Sequence, residues 1–238
     1  MPLHESDSII LKTYPLAEAD RIVVFFSRDY GKLRGVANGV RRMKSPFGAS
    51  LEPMALSRVS FFQKESQELV RIRSTEPIDS PMSLLSDYDR AILAAHLADL
   101  VDRFLPDHDA QDSVYRLFVL TRAGLASGLP LDLVRAYFEV WMLRLAGVLP
   151  DMSTCAECHR RLEPGEGRTL MPGMLHVGCA RCSPDTGNEV PAAALNALTW
   201  ITRNKLDADA GSAPRPDDGG LPHILHLNKL WIDRFFER

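Results

Sequence analysis

No run of this sequence approaches the roughly 18–20 consecutive apolar residues that a membrane span requires. The amino terminus, Met-Pro-Leu-His-Glu-Ser-Asp, carries no basic stretch followed by an apolar core. These two absences speak against a membrane helix and a secretory leader, and lead to the expectation of a cytoplasmic protein with no membrane partner. Catalytic signatures are missing as well. Seven histidines occur, but none falls in an HExxH array, and there is no Walker A loop, no GxGxxG and no GxSxG elbow. The chain is therefore expected not to be an enzyme. Internal repeats are absent. Cysteine is scarce, at four in 238 residues, which in a reducing compartment argues against a disulfide framework. What remains, 45% hydrophobic and 25% charged, is the composition of an ordinary globular protein.

The four cysteines are not scattered. They form two pairs, Cys155-Ala-Glu-Cys158 and Cys179-Ala-Arg-Cys182, in one C-x2-C-x20-C-x2-C array. That spacing is the pattern of a tetrahedral zinc site built from two knuckles. Zinc is borderline soft and accepts four thiolates without strain, so Cys155, Cys158, Cys179 and Cys182 are the expected ligands. Four protein ligands leave no open position for water or substrate, so the metal would brace a loop and do no chemistry. His159 and His176 lie nearby and could replace a thiolate, although four cysteines make that unnecessary. A redox-active CxxC would need a thioredoxin-like βαβ context, and none is apparent.

The formal charge of −3 hides an asymmetry. Residues 1–80 carry 12 Lys/Arg against 10 Asp/Glu, and the remainder carries 16 against 21. Within Arg28–Lys44, six basic residues (Arg28, Lys32, Arg34, Arg41, Arg42 and Lys44) face one acid, Asp29. A local excess of this kind can choose a polyanionic partner whatever the net charge of the chain.

Five β-rich segments occupy the first eighty residues: Ser8–Tyr14, Arg21–Ser27, Lys32–Asn38, Ala55–Lys64 and Leu69–Thr75. Five short strands joined by tight turns fit a closed barrel, which removes exposed edges, and the OB-fold is the common solution at this size. In the third strand Lys32 and Arg34 share a face, because side chains repeat every two residues. Gly39 then opens a loop from which Arg41, Arg42 and Lys44 reach outward, with Ser45 as a further phosphate donor. Together these residues are expected to form an exposed cationic ridge that grips a phosphate backbone, with Tyr30, Phe61 and Phe62 as candidate stacking residues.

Beyond Pro77 and Pro81 the period becomes helical. Asp87–Leu105 is expected to be capped by Asp87 and to bury Ala91, Ile92, Ala95, Ala98, Val101 and Leu105. Further helices are expected over Asp112–Ala126, Leu131–Ala146, Pro191–Asn204 and Leu221–Phe236, with the cysteine array inserted over 152–184. Ala208–Gly220 reads as a Gly/Pro/Asp-rich loop. The resulting expectation is an α+β multidomain chain: an N-terminal five-stranded OB-fold β-barrel over 1–80, then an α-helical domain over 81–238 with an inserted four-cysteine zinc module.

These segments, in this order, resemble the RecO family of bacterial recombination mediators. The resemblance rests on Ser8-Ile-Ile-Leu-Lys12, on Gly31-Lys-Leu-Arg-Gly-Val-Ala-Asn-Gly39 with Arg41-Arg-Met-Lys-Ser45, and on Ser50-Leu-Glu-Pro53. It continues through Arg135–Pro150 (RAYFEVWMLRLAGVLP) and the cysteine array. It implies a nucleoid-associated DNA-binding protein of DNA repair that takes single- and double-stranded DNA and anneals complementary strands. It also implies partnership with RecR, contact with the C-terminal tail of single-stranded DNA-binding protein, and indirect help in loading RecA. By position it makes Lys32, Arg34, Arg41 and Arg42 DNA contacts. Asn38 stands where relatives often carry a basic residue. Arg122, Arg135 and Arg144 are candidate rim charges for a groove that receives an acidic-hydrophobic tail. The competing expectation is a zinc-ribbon OB protein acting on RNA or in transcription, which would prefer ribose over deoxyribose oligomers.

Overall fold

The computed structural model of the chain describes residues 2–237 apart from 17, 41, 43–44, 46, 64–67, 164–165, 172–175, 184–188, 207–215 and 217–218. It forms two compact units, Met1–Ala126 and Ser127–Arg238.

The first unit is built on five strands: β1 (Leu3–Pro15), β2 (Arg21–Ser27), β3 (Gly31–Ala37), β4 (Leu56–Phe62) and β5 (Leu69–Asp79). They close in the order β1-β2-β3-β5-β4, with β4 returning to β1, and only the β3–β5 pair is parallel. This is the OB-fold barrel. Alternation sorts the side chains: Ile10, Val23, Phe25, Leu33, Ala37, Val59, Phe61, Val70 and Ile72 fill the interior. A 3-10 turn, Gly48–Leu51, adds Leu51 to that core. The first strand starts five residues earlier than expected, because Leu3–Asp7 is the half that closes the barrel, pairing Leu3 with Phe62 and Asp7 with Arg58. A bulge between Ile10 and Lys12 lets the same strand bend from β4 to β2.

Three helices complete this unit: α1 (Met82–Leu85), α2 (Tyr88–Phe104) and α3 (Asp112–Ala126). Asp87 caps α2 as expected, accepting from the Arg90 backbone N–H at 2.9 Å. Its buried face is Leu93, Ala94, Leu97, Ala98, Leu100 and Val101, whereas Ile92 is 52% exposed and Ala95 is also exposed. The leucines take the inner stripe because they are larger than the alanines that suggested the other face. The barrel keeps a second apolar surface on its outside. Ile9, Leu11, Val24 and Phe26 point outward yet are buried, and the Phe26 ring lies 5.9 Å from that of Tyr115 on α3. Arg122, 4% exposed, reaches from α3 to the Met54 and Ser80 carbonyls and to Asp79. The compact unit thus extends past the change from strand to helix near residue 80, as far as Ala126.

The second unit holds α4 (Leu131–Leu145), a small sheet of β6 (Arg168–Leu170), β7 (Val177–Cys179) and β8 (Glu189–Val190) in the order β7-β6-β8, then α5 (Ala192–Arg203) and α6 (Gly220–Phe236). Trp231 and Phe138 are fully buried here. Most of the Gly/Pro/Asp-rich loop before α6 lies outside the described residues. Among the described residues no helix is long and apolar enough to cross a membrane.

Candidate nucleic-acid interface and metal centre

Gly31 opens β3 at φ +72, and a Cβ there would sit 2.3 Å from the Asp109 carbonyl oxygen, so the segment after α2 presses directly on this strand. The His108 N–H donates to the Lys32 carbonyl at 2.9 Å. This close approach decides the fate of the cationic ridge. Lys32 and Arg34 do share one face, but that face meets acids from α2 and the loop behind it.

The Lys32 ammonium donates to the Asp102 carbonyl and lies 3.2 Å from Asp102 Oδ1 and 3.1 Å from Asp107 Oδ1. Its side chain is 6% exposed. Lys32 therefore differs from the expected surface contact: it is a buried counter-charge that holds β3 to α2. Lys12 joins the network, at 2.7 Å from Asp99 and 3.0 Å from Asp102. Burial pushes the Asp102 carboxyl up, but hydrogen bonds and charges from Lys12 and Lys32 outweigh it and hold the group below the usual aspartate range. Arg34, one alternation further on, is 42% exposed and reaches Asp107 at 3.4 Å and Asp102 at 3.6 Å. Pairs at that distance and exposure hold a side chain only loosely.

Past β3 the chain turns at Gly39, whose φ of +73 suits glycine and whose N–H donates to Asp20 at 2.8 Å. Arg42 follows, exposed, with its N–H on the Gly39 carbonyl, and Ser45 closes the turn on the Arg42 carbonyl. Arg41 and Lys44 lie outside the described residues. Of the candidate stacking residues, Phe61 is in the barrel core, 5.4 Å from the Tyr30 ring, and Tyr30 bonds His4 through its hydroxyl at 3.1 Å. Phe61 offers no free face, and Tyr30 is half-buried against it. Phe62 is half-buried on the outside.

The candidate rim arginines have other partners. Arg122 is the buried clamp described above. Arg135 pairs with the buried Glu139 at 2.9 Å, and Arg144 lies 5.0 Å over the Trp141 ring.

The cysteines converge. The four Sγ atoms of Cys155, Cys158, Cys179 and Cys182 all lie within 4.8 Å of one another, with Cys158 and Cys179 at 4.0 Å. A tetrahedron with metal–sulfur bonds of about 2.3 Å has sulfurs about 3.8 Å apart, so the cluster fits a single thiophilic cation. Secondary structure builds it: β7 ends at Cys179, while the first knuckle ties to β7 through the Ala156 N–H on the Val177 carbonyl. The Cys179 N–H points at Cys155 Sγ at 3.4 Å, and the Cys182 N–H returns to the Cys179 carbonyl.

The backbone N–H of Cys182 pulls the Cys179 thiol down, whereas the neighbouring sulfur of Cys179 pushes Cys182 up. A dication bound among them would remove that conflict. Arg160 bonds Glu166 at 3.0 Å, and its charge acts on the Cys179 sulfur, so it offsets part of the negative charge of a tetrathiolate. Among the described residues neither His159 nor His176 joins the cluster. The three strands that frame the knuckles are two or three residues long, too short to produce a periodic signal in sequence.

Two family models match the chain, Recombination protein O N terminal over residues 1–81 and Recombination protein O C terminal over residues 85–218. The chain is similar to the DNA repair protein RecO of Koribacter versatilis, 41% identical over 164 residues, covering 68% of this chain and 66% of that relative. It is 31% identical to the DNA repair protein RecO of Cutibacterium acnes over 191 residues, 77% of this chain and 76% of the relative. It is 28% identical to that of Anaeromyxobacter sp. over 220 residues, 89% and 84%. The barrel order, the cysteine cluster and these matches over both halves agree: the chain belongs to the RecO family of DNA repair proteins.

Proposed function

We propose that the protein is a non-enzymatic recombination mediator that binds single- and double-stranded DNA and anneals complementary strands. The observation that carries this reading is the OB barrel whose β3 and following turn leave Arg34 and Arg42 at the surface. Arg41 and Lys44 belong to the same stretch of sequence and complete the patch in this reading. Annealing then follows from electrostatics: cations that neutralise two strands held side by side remove the repulsion that keeps them apart. RecR, and through it RecA loading on DNA coated by single-stranded DNA-binding protein, are the partners the family suggests.

Within the second unit a cavity of about 450 Å³ is lined by Val148, Leu149, Pro150 and Phe235 together with Asp151, His176 and Arg234. The apolar walls and the Arg234 guanidinium suit the acidic-hydrophobic tail of single-stranded DNA-binding protein, its carboxylates lying toward Arg234 and away from Asp151. The cysteine cluster holds a structural zinc ion in this reading, worth on the order of 10 kcal/mol to the local fold.

The test replaces Arg34, Arg41, Arg42 and Lys44 with alanine and measures affinity for an oligothymidine at several salt concentrations. Each lost phosphate contact should flatten the log–log salt slope by about 0.7, and annealing of complementary oligonucleotides should slow in parallel. Weaker binding at an unchanged slope would place the phosphate contacts elsewhere. Tighter binding to ribose oligomers would favour an RNA-directed function.

A further inference from the structure

The register of the barrel brings six side chains from all five strands into one row. Leu3 pairs with Phe62, Phe62 with Arg71, Arg71 with Val36, Val36 with Ile22, and Ile22 with Tyr14. Partners in a ladder point to the same side of the sheet, and here that side is the outside. Every member is exposed or half-exposed: Leu3 is 46% and Tyr14 44% exposed, Arg71 is exposed, and Ile22, Val36 and Phe62 are half-buried. Strands in a barrel tilt across its axis, so the row runs obliquely along the wall rather than circling it. Five steps of about 4.8 Å make it about 24 Å long.

Its neighbours make the row exceptional. Two residues along the strands lies the row of Leu69, Arg34, Val24 and Lys12. There Val24 is fully buried and Lys12 is paired with acids of α2. The helices therefore cover the barrel wall up to Arg34 and stop. Beyond that line lie an apolar and aromatic band, Arg71 within it, and exposed Arg73 two residues further along β5. Among the described residues neither Arg71 nor Arg73 makes an ion pair. An open groove of about 710 Å³ follows the band where β3 meets β5, with Asn38 and Glu68 at its edges. Glu68 is the acid in the groove lining, and Glu5, two residues along β1 from Leu3, accepts from the Ser60 hydroxyl at 3.0 Å.

Resting on the DNA-binding reading, we infer that this row is a stacking platform for the bases of single-stranded DNA, with Phe62 and Tyr14 as its rings and Arg71 stacking between them. Arg34 and Arg73 flank it, each about 6.6 Å from the row, within reach of a phosphate backbone whose bases lie on the band. A solvated strand face would instead alternate charges with small polar residues. Three aliphatic and two aromatic side chains left at the surface of a barrel that already has both a core and a helix-covered wall call for a planar, apolar ligand. Bases supply π-faces without regard to sequence, and arginine adds a cation–π contribution.

The experiment uses the full chain and two fluorescent oligomers of equal length, one of thymidines and one with abasic sugars throughout. The expected result is tighter binding of the base-bearing oligomer. Tyr14→Ala and Phe62→Ala should each weaken that binding at least about fivefold, the low end for one stacked base, and leave the abasic oligomer unaffected. Arg71→Gln should lower both. Tyr14 is exposed, so its replacement spares the fold even if Phe62→Ala loosens it, and thermal melts followed by circular dichroism check both. If wild type binds the two oligomers equally, or the variants keep the full preference, the platform is refuted while DNA binding stands. If wild type binds neither oligomer, the DNA-binding reading falls and the platform with it.

Discussion

Replacing Lys32 with methionine separates a structural from a DNA-contacting role for this residue. The ammonium is 6% exposed and lies within 3.2 Å of both Asp102 and Asp107. Removing one partner of a buried pair typically costs about 3–5 kcal/mol. Two features reduce that here: Lys12 still holds Asp102 at 3.0 Å, and Asp107 is 42% exposed and can turn to water. An expected loss of about 2–3 kcal/mol follows, against less than about 1 kcal/mol for Arg34→Ala, whose pairs are long and solvated. For a unit of 126 residues this is a drop in melting temperature of about 6–12 °C. Urea unfolding of the full chain, followed by the Tyr and Trp signals, measures it. Lys32→Met combined with Asp102→Leu should recover much of the loss, since an apolar pair can replace a buried ionic one. The affinities should run the other way, with Arg34→Ala weakening DNA binding and the folded Lys32→Met variant retaining it. A Lys32→Met protein that melts like wild type yet loses affinity and salt slope would refute this assignment.

Three other outcomes are expected. Asp102 titrates below the ordinary aspartate value, so its contribution is present above about pH 4 and is lost as pH falls through the lower folded value; the urea midpoint of the first unit should drop below pH 4, and Asp102→Asn should flatten that limb. Gly178→Ala would bring a Cβ to 2.2 Å from Ser183 Oγ, so it should weaken metal retention in a chelator competition, and adding Ser183→Gly should restore it. Chelation, or Cys158→Ser, should release one equivalent of metal and lower the stability of the second unit, read by elemental analysis and calorimetry, while leaving oligonucleotide affinity nearly unchanged.

Much of the architecture was readable from local pattern. The residue-21 strand and the residue-112 helix match the expected bounds, and Asp87 caps its helix, because each carries its own periodicity or cap chemistry. The cysteine spacing reported the convergence of four sulfurs for a similar reason, since ligand pairs two residues apart form knuckles whatever surrounds them. The burial of Lys32 depends on which surface folds over β3, and strand alternation is silent about that. One signal was present: Asp99, Asp102, Asp107, Asp109 and Asp112 face only Arg103 within fourteen residues, a complement to the basic stretch around β3. Leu3–Asp7 escaped because its partners come from β4, and a cross-strand match such as Asp7 with Arg58 has no local trace. The exposed row escaped for the same reason, since its six members are spread from residue 3 to residue 71.

The outward-facing but buried Ile9, Leu11, Val24 and Phe26 carry a consequence for how this protein is made. A nascent chain that has emerged only as far as Asp79 can close its cylinder, yet it displays a greasy flank and two lysines without counter-ions until α2 and α3 follow. At about 5–20 residues per second, that window lasts several seconds on the ribosome. Fragments cut after the last barrel strand would remain in that sticky state permanently, whereas a cut after Ala126 would not.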